Sequence, residues 1–380
     1  MTLIATLTPR GVPVIFGDLL ISGVSDSIPD VAIPSLAEGV GDFFGGSGIV
    51  IHGMRQKVCV ISERLVVAWS GNFLSASVAI AKMREMESQG KFTLEDFHLF
   101  FVEDEDIKAR PIDLVGWFKA TPGFIPFSFG DGVSASHTGT RLGYVQCGGS
   151  GFSALQELVD FFIKNEQEID GDNGPAGYAL CMTLTIATLL IRAEHDGRDA
   201  AATLRNFFGG GYELAMFFEG KFKKIGDFTI ILWEAVVKSA SEIELSMPKF
   251  LLRQAYKQDT LLMKSAFIGS DAEALKITNE QGHVIFPMGM PPAKVDISDF
   301  ENLKFGTNLL CHCISAKRTF DGKPFIITLI DKNVGDPLVQ VVDGNGEIRL
   351  SLNSKIVNKI ATSLLQFVNP GTEFEPENLG

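Results

Sequence analysis

Thr2 stands directly behind Met1, so removal of that methionine would leave one residue carrying a β-hydroxyl and a free α-amine. A hydroxyl alone is too weakly acidic to attack a carbonyl at neutral pH, but an α-amine with an ordinary pKa near ~8 can accept its proton. Thr2 is thus a nucleophile and its base in a single residue. Other chemistry-bearing spacings are weaker. Cys311-His312-Cys313 has zinc-ligand residue types, but alternation along a strand points the two cysteines one way and His312 the other, with no second ligand pair nearby. Asp170-Gly171-Asp172-Asn173-Gly174 brings its glycine one position early for a calcium loop and reads as a polar turn. Gly209-Gly210-Gly211 lacks the Lys-Ser/Thr of a phosphate loop, and His52, His137 and His195 fall in predicted loops or helix ends without a Ser or Cys elbow.

The elements that must position Thr2 begin with a hairpin. Leu3 to Leu7 is mostly apolar, Thr8-Pro9-Arg10-Gly11 breaks the run, and Val12 to Phe16 resumes it, which returns the chain to set Asp18 near Thr2. Residues 24–53 read as a long loop with Ile33, Phe43, Phe44 and Ile49 packed on something. Strands follow at Lys57 to Ile61 and Leu65 to Ser70, then a helix from Asn72 to about Glu87 and another from Thr93. Strands at Ile112 to Lys119, Phe124 to Phe129 and Arg141 to Gln146 precede two helices, Gly151 to Lys164 and Ala176 to Arg192. Tyr212 to Phe218 and Phe222 to Trp233 read as an antiparallel pair. Runs of strands and then of helices imply antiparallel sheets and an α+β class. A rise in charge and serine at Lys238 to Ser246 marks a boundary, with domains at 1–240 and 241–380. Beyond it come strands at Leu261 to Phe267, Leu309 to Ile314, Phe325 to Leu329 and Leu338 to Val342, a turn at Asp343 to Gly346, and a last helix at Ser354 to Phe367, an α/β or β-rich accessory domain.

The 380 residues suffice for two cores, and 46% hydrophobic with 21% charged residues fits a folded chain. A net charge of −13 argues against non-specific nucleic-acid or anionic-membrane binding. Five cysteines, mostly in apolar surroundings, suit a reducing compartment. No signal peptide is read at the N-terminus, and the apolar run Ala179 to Ile191 is shorter than the ~18 residues of a membrane span, so a cytoplasmic location is expected.

With these elements in place, the first 240 residues resemble the proteasome β-subunit and HslV peptidase family of N-terminal-nucleophile hydrolases. The interval from Thr2 to Gly17-Asp18 matches the family's first hairpin. Lys57-Val58-x-x-Ile61-x-Glu63 resembles the strand of its catalytic lysine, Ser70-Gly71 falls fourteen residues after Lys57 as its oxyanion glycine should, and Gly149-Ser150-Gly151 before a helix resembles its serine-containing turn. Asn206 to Gly211 resembles the segment that closes the site.

The resemblance implies a four-layer αββα sandwich and a threonine-type peptidase or amidohydrolase acting on a peptide or small amide, with no cofactor or metal. In such a site Lys57, paired to Asp18, favours deprotonation of the Thr2 hydroxyl. The Thr2 amine takes the proton, the Gly71 N–H donates to the oxyanion, and Ser150 orients the amine or its water. Ser22 and Trp69 take substrate-binding positions. Homo-oligomers, and an ATPase or other protein partner, belong to the same expectation. Three departures stand out: Asn206 and Gly209 where the family has an aspartate and a serine, a long 39-residue interval from Asp18 to Lys57, and the large Trp69 at the base of the specificity pocket. They motivate the rival expectation, a non-catalytic scaffold used for assembly or partner binding.

Overall fold

Two apolar runs and a proline-fixed turn between them decide the first hairpin. In the computed structural model, which describes residues 2–25, 31–37, 40, 48–137, 142–165, 174–196, 202–271, 274–291, 293–332, 338–342 and 348–369, β1 (Ile4–Leu7) and β2 (Val14–Asp18) pair antiparallel with Ile4 opposite Gly17. A 3-10 turn at Pro9–Gly11 joins them. Then come β3 (Leu20–Val24), β4 (Ile49–Met54), β5 (Val58–Ser62), β6 (Leu65–Gly71), α1 (Phe73–Ser88), α2 (Leu94–Glu103) and α3 (Glu105–Ala109). They are followed by β7 (Ile112–Lys119), β8 (Phe124–Phe129), β9 (Val133–His137), β10 (Tyr144–Gly148), α4 (Phe152–Asn165), α5 (Gly174–Asp196), α6 (Ala202–Arg205), β11 (Tyr212–Phe218) and β12 (Lys221–Ile225).

Two antiparallel sheets organise this part, one in the order β12-β11-β2-β1-β10-β9 and one in the order β5-β6-β7-β8, with β3 and β4 as a separate pair. Because side chains alternate along a strand, each sheet has two faces to cover. Ile4, Ile15, Ala215 and Phe222 from the first sheet and Val58, Val66, Ala68, Val115 and Trp117 from the second share one buried cluster, so one face of each meets the other. The Trp117 indole N–H donates to the Val14 carbonyl across that layer, 2.9 Å. The intervening residues Val67, Trp69 and Leu114 turn the opposite way and pack with Ala76, Ile80 and Met83 of α1 and Phe97 and Phe101 of α2. Burying each such side chain contributes ~1.5–3 kcal/mol. On the first sheet, α4 lies against β10 and α5 against β11. Asn72 caps α1 by accepting from the backbone N–H groups of Leu74 and Ser75, and Thr93 caps α2 by accepting from Asp96.

The chain divides into two units, Met1–Gly226 with Lys257–Leu261 and Ile285–Ala293, and Asp227–Tyr256 with Leu262–Val284 and Lys294–Gly380. The first break thus falls at Gly226, ahead of the boundary near 240 read from charge. The physical reason is a turn: Asp227 adopts φ 65°, which ends β12 and divides the single strand expected from Phe222 to Trp233. Its second half, β13 (Phe228–Val237), opens the large sheet of the second unit. There it joins β14 (Ile243–Leu245), β15 (Phe250–Lys257), β16 (Thr260–Asp271) and β17 (Ala274–Ile285). After α7 (Ile297–Asn302) come β18 (Leu309–Arg318), β19 (Pro324–Lys332), β20 (Leu338–Val342), β21 (Ile348–Leu352) and α8 (Ser354–Val368). The order is β19-β18-β13-β15-β16-β17-β21-β20, and β13 with β18 is a parallel pair. α8 lays Ile356, Ile360 and Leu364 on Ile231, Trp233 and Ile314.

Other differences are local. The long loop ends at Gly48, since Ile49-Val50-Ile51 are β-branched and pair with β3. Ile33 packs with Leu20, Val40, Ile51 and Leu204, while Phe43, Phe44, the Asp170 to Asn173 turn and the Asp343 to Gly346 turn lie outside the described residues. His52 and His137 are in strands β4 and β9, not loops. Among the described residues one helix, α5, is long and apolar enough to cross a membrane, and 67% of its apolar window is buried inside the fold.

Candidate active site

β1 begins at Ile4 and β2 ends at Asp18, with Ile4 opposite Gly17, so the hairpin register brings Thr2 and Asp18 together. The Thr2 hydroxyl donates to Asp18 Oδ1 at 2.9 Å. Lys57, leading into β5, aims its ammonium at the same place. It donates to Thr2 Oγ1, to Asp18 Oδ1 at 2.7 Å and to the Leu20 carbonyl at 2.6 Å, which uses all three of its protons. Asp18 also accepts from the backbone N–H groups of Leu3 (2.9 Å), Leu20 (3.2 Å) and Gly209 (3.0 Å). The Lys57 and Asp18 side chains are 1% and 0% exposed, so the pair is desolvated. Burial lowers the Lys57 pKa, and the Asp18 charge and hydrogen bond oppose that shift.

Ser150 approaches from the other side. Thr2 N donates to Ser150 Oγ at 3.1 Å, and the Ser150 hydroxyl donates to the Asn206 carbonyl. Close approach requires both flanking glycines: a Cβ on Gly149 would sit 2.1 Å from the Thr2 carbonyl oxygen and one on Gly151 2.6 Å from Leu3 Cβ, while Gly151 N donates to the Thr2 carbonyl at 3.1 Å. Thr2, Asp18, Lys57 and Ser150 therefore form one connected set.

Where the remaining expected residues meet this set they do so through main-chain groups, with no side-chain hydrogen bond of their own to it among the described residues. Gly71 ends β6 opposite Ile112, and two residues earlier Trp69 N donates to the Lys57 carbonyl at 3.2 Å. The Trp69 ring is 1% exposed, turned to the α1 side of its sheet, edge-on to Phe73, and its indole N–H donates to the Gln56 carbonyl. Ser22 is on β3 at a register shift, and its hydroxyl is buried without a hydrogen-bond partner. Asn206 contributes its carbonyl to Ser150, and Gly209 contributes its N–H to Asp18, so main-chain groups meet the site at both departures from the family pattern.

Two carboxylates escaped the sequence reading. Glu213 on β11 accepts from Lys57 N (2.6 Å) and Val58 N (3.0 Å) and pairs with Lys224 at 2.9 Å, which fixes the backbone that carries Lys57. Glu194 on α5 is fully buried beside Gly210. For Glu213 the available signal was an acidic residue inside an apolar run, Tyr212-Glu213-Leu214-Ala215, whereas Glu194 stands among Arg192, His195 and Asp196 at a charged helix end and gave none.

Away from this site, His312 faces α8's side of its sheet, where Trp233 donates to its Nδ1 at 3.1 Å and Asp331 lies 3.3 Å from its Nε2. Cys311 and Cys313 occupy the alternate positions. All five cysteines are buried free thiols.

No protein-family model matches the chain, and no curated protein matches it.

Proposed function

We propose that the chain is an N-terminal threonine hydrolase, a peptidase or related amidohydrolase, built on a four-layer αββα sandwich. The single observation that carries this reading is Thr2 Oγ1 held jointly by Asp18 and Lys57 while Thr2 N rests on Ser150 Oγ. Two sheets sharing a core, with α1 and α2 packed on one outer face and α4 and α5 against the other sheet, support the fold.

In this reading Met1 is removed and the freed Thr2 amine accepts the hydroxyl proton. Oγ1 bonds to the substrate carbonyl carbon, and the oxyanion is met by the Gly71 N–H. The C–N bond then breaks as the amine's proton passes to the leaving nitrogen, leaving an ester on Thr2. Water attacks the ester and Oγ1 regains its proton. Lys57, easier to deprotonate than an ordinary lysine, lowers the cost of the alkoxide by its charge. Intact-mass analysis with a threonine-directed epoxyketone tests the reading: loss of Met1 and an adduct on Thr2 are expected, and full retention of Met1 sinks it.

A second reading, a non-catalytic scaffold for assembly or partner binding, draws on Trp69, whose ring fills the space under α1 where a substrate pocket would open. A folded, Met-free sample that forms no adduct favours it. Under either reading the chain self-associates, and residues beyond about 240 limit access or recruit a partner such as an ATPase.

A further inference from the structure

The Gly209-Gly210 turn reaches the site only through its backbone, and something must hold it there. Gly209 N donates to Asp18 Oδ2, while the Gly209 carbonyl accepts from Leu19 N (3.1 Å) and Leu20 N (3.2 Å). Gly209 has φ 130°, and the place its side chain would take is already occupied: a Cβ there would sit 1.9 Å from Glu194 Oε2. The Glu194 carboxylate arrives from α5, 0% exposed, and spans the next peptide, accepting from Gly210 N at 3.1 Å and 3.0 Å on its two oxygens. Ser35 Oγ donates to Oε1, and Thr203 Oγ1 donates to Oε2 at 3.4 Å. Three donors converge on one carboxyl group, which suits the ionised, acceptor-only form.

We propose that Glu194 is a positioning residue of the Thr2 site: it clamps the Gly209-Gly210 turn from α5, and through Gly209 N–H it sets Asp18 against Thr2 and Lys57. The same carboxylate ties the Ser35 segment, part of the long connection between β3 and β4, to the turn. The proposal rests on the hydrolase reading for its catalytic consequence but not for the clamp itself. Protonation of Glu194 would put a donor where four hydrogen bonds need acceptors, so the clamp loosens in the acid form. Burial pushes its carboxyl up to about 7, so that change falls at neutral pH. The titratable or charged groups facing it are Asp18 from β2 and Tyr212 from β11, with Lys57 behind Asp18. His195, next along α5, hydrogen-bonds the Ser35 carbonyl.

The experiment follows the rate of epoxyketone labelling of Thr2 against pH in the full chain, alongside amide hydrogen exchange of Leu3, Leu20, Gly209 and Gly210. Wild type should show an inflection near pH 7 that Glu194→Gln lacks and that Ser35→Ala moves to higher pH, since the Ser35 hydrogen bond favours the charged form. An inflection from the Thr2 amine, ordinary value near ~8, should persist in all three. With a peptide substrate, Glu194→Gln should lower kcat by about 10- to 100-fold with little change in KM, because the attacking geometry rather than substrate contact is disturbed. An unchanged pH profile in both variants with unchanged exchange overturns the proposal. If wild type forms no adduct but Glu194→Gln still speeds exchange at the four amides, the hydrolase reading has failed and the clamp stands. Should Glu194→Gln not fold, the pH shift in Ser35→Ala decides alone.

Discussion

Lys57 Nζ lies 2.7 Å from Asp18 Oδ1 with neither side chain reaching solvent, and the Thr2 hydroxyl bonds to both. Such a pair is held by mutual compensation. Lys57→Ala and Asp18→Asn should each destabilise the chain by about 3–5 kcal/mol, because each leaves a buried partner uncompensated. The double substitution should cost less than the sum. Denaturant unfolding checks this, and additive effects below about 1 kcal/mol each would refute the compensated-pair account.

Glu213 supports Lys57 through the backbone. Glu213→Ala removes the acceptor from Lys57 N and Val58 N and the partner from Lys224. The expected loss is about 2–5 kcal/mol of stability, from two buried N–H groups left unmade. Thr2 labelling should slow with it, because the strand that delivers the ammonium shifts. Normal labelling together with an unchanged unfolding midpoint would remove Glu213 from the support of the site.

At Gly71 the backbone sits at φ 91°, and a Cβ would lie 2.7 Å from the Pro111 carbonyl oxygen. Gly71→Ala should cost about 1–3 kcal/mol in strain. It should also lower kcat more than it raises KM, as displacement of an oxyanion donor does. Equal kcat in variant and wild type would exclude Gly71 from that role.

The pH dependence of stability has a definite sign. Burial raises the Glu194 carboxyl from 4.5 to about 7. Its folded value is above its unfolded one, so between those values the native chain binds more protons, and stability falls as pH rises through the window. The melting temperature of wild type relative to Glu194→Gln should therefore drop from pH 4.5 to about 7, by the equivalent of ~3 kcal/mol at most. A pH-independent difference would mean that Glu194 does not titrate there.

Self-association is expected of the full chain, by analogy with the ring-forming family it resembles. Light scattering at micromolar concentration reads it directly, and a monomer mass would set the analogy aside.

The sequence by itself determined the local elements whose signals are local. Two apolar runs broken at Thr8-Pro9-Arg10-Gly11 placed the first hairpin, Asn72 and Thr93 placed two helix starts, and the family resemblance carried by the order Thr2, Asp18, Lys57, Ser150 named four residues that the fold joins. Strand alternation likewise put His312 opposite Cys311 and Cys313. The fate of Phe222 to Trp233 was decided by tertiary structure, since a left-handed residue at Asp227 inside an apolar run leaves no composition signal. Glu194 and Glu213 were also beyond the sequence's reach. Glu213, an acid in an apolar segment, states only that a partner must exist, and Glu194, among the charges at the end of α5, does not state even that. Which backbone amides supply it depends on α5 and β11 reaching Gly210 and Lys57 across many intervening residues. Trp69 follows the same rule: its identity announces bulk, but its direction, toward α1 and away from the inter-sheet core, comes from the register of β6 with β7.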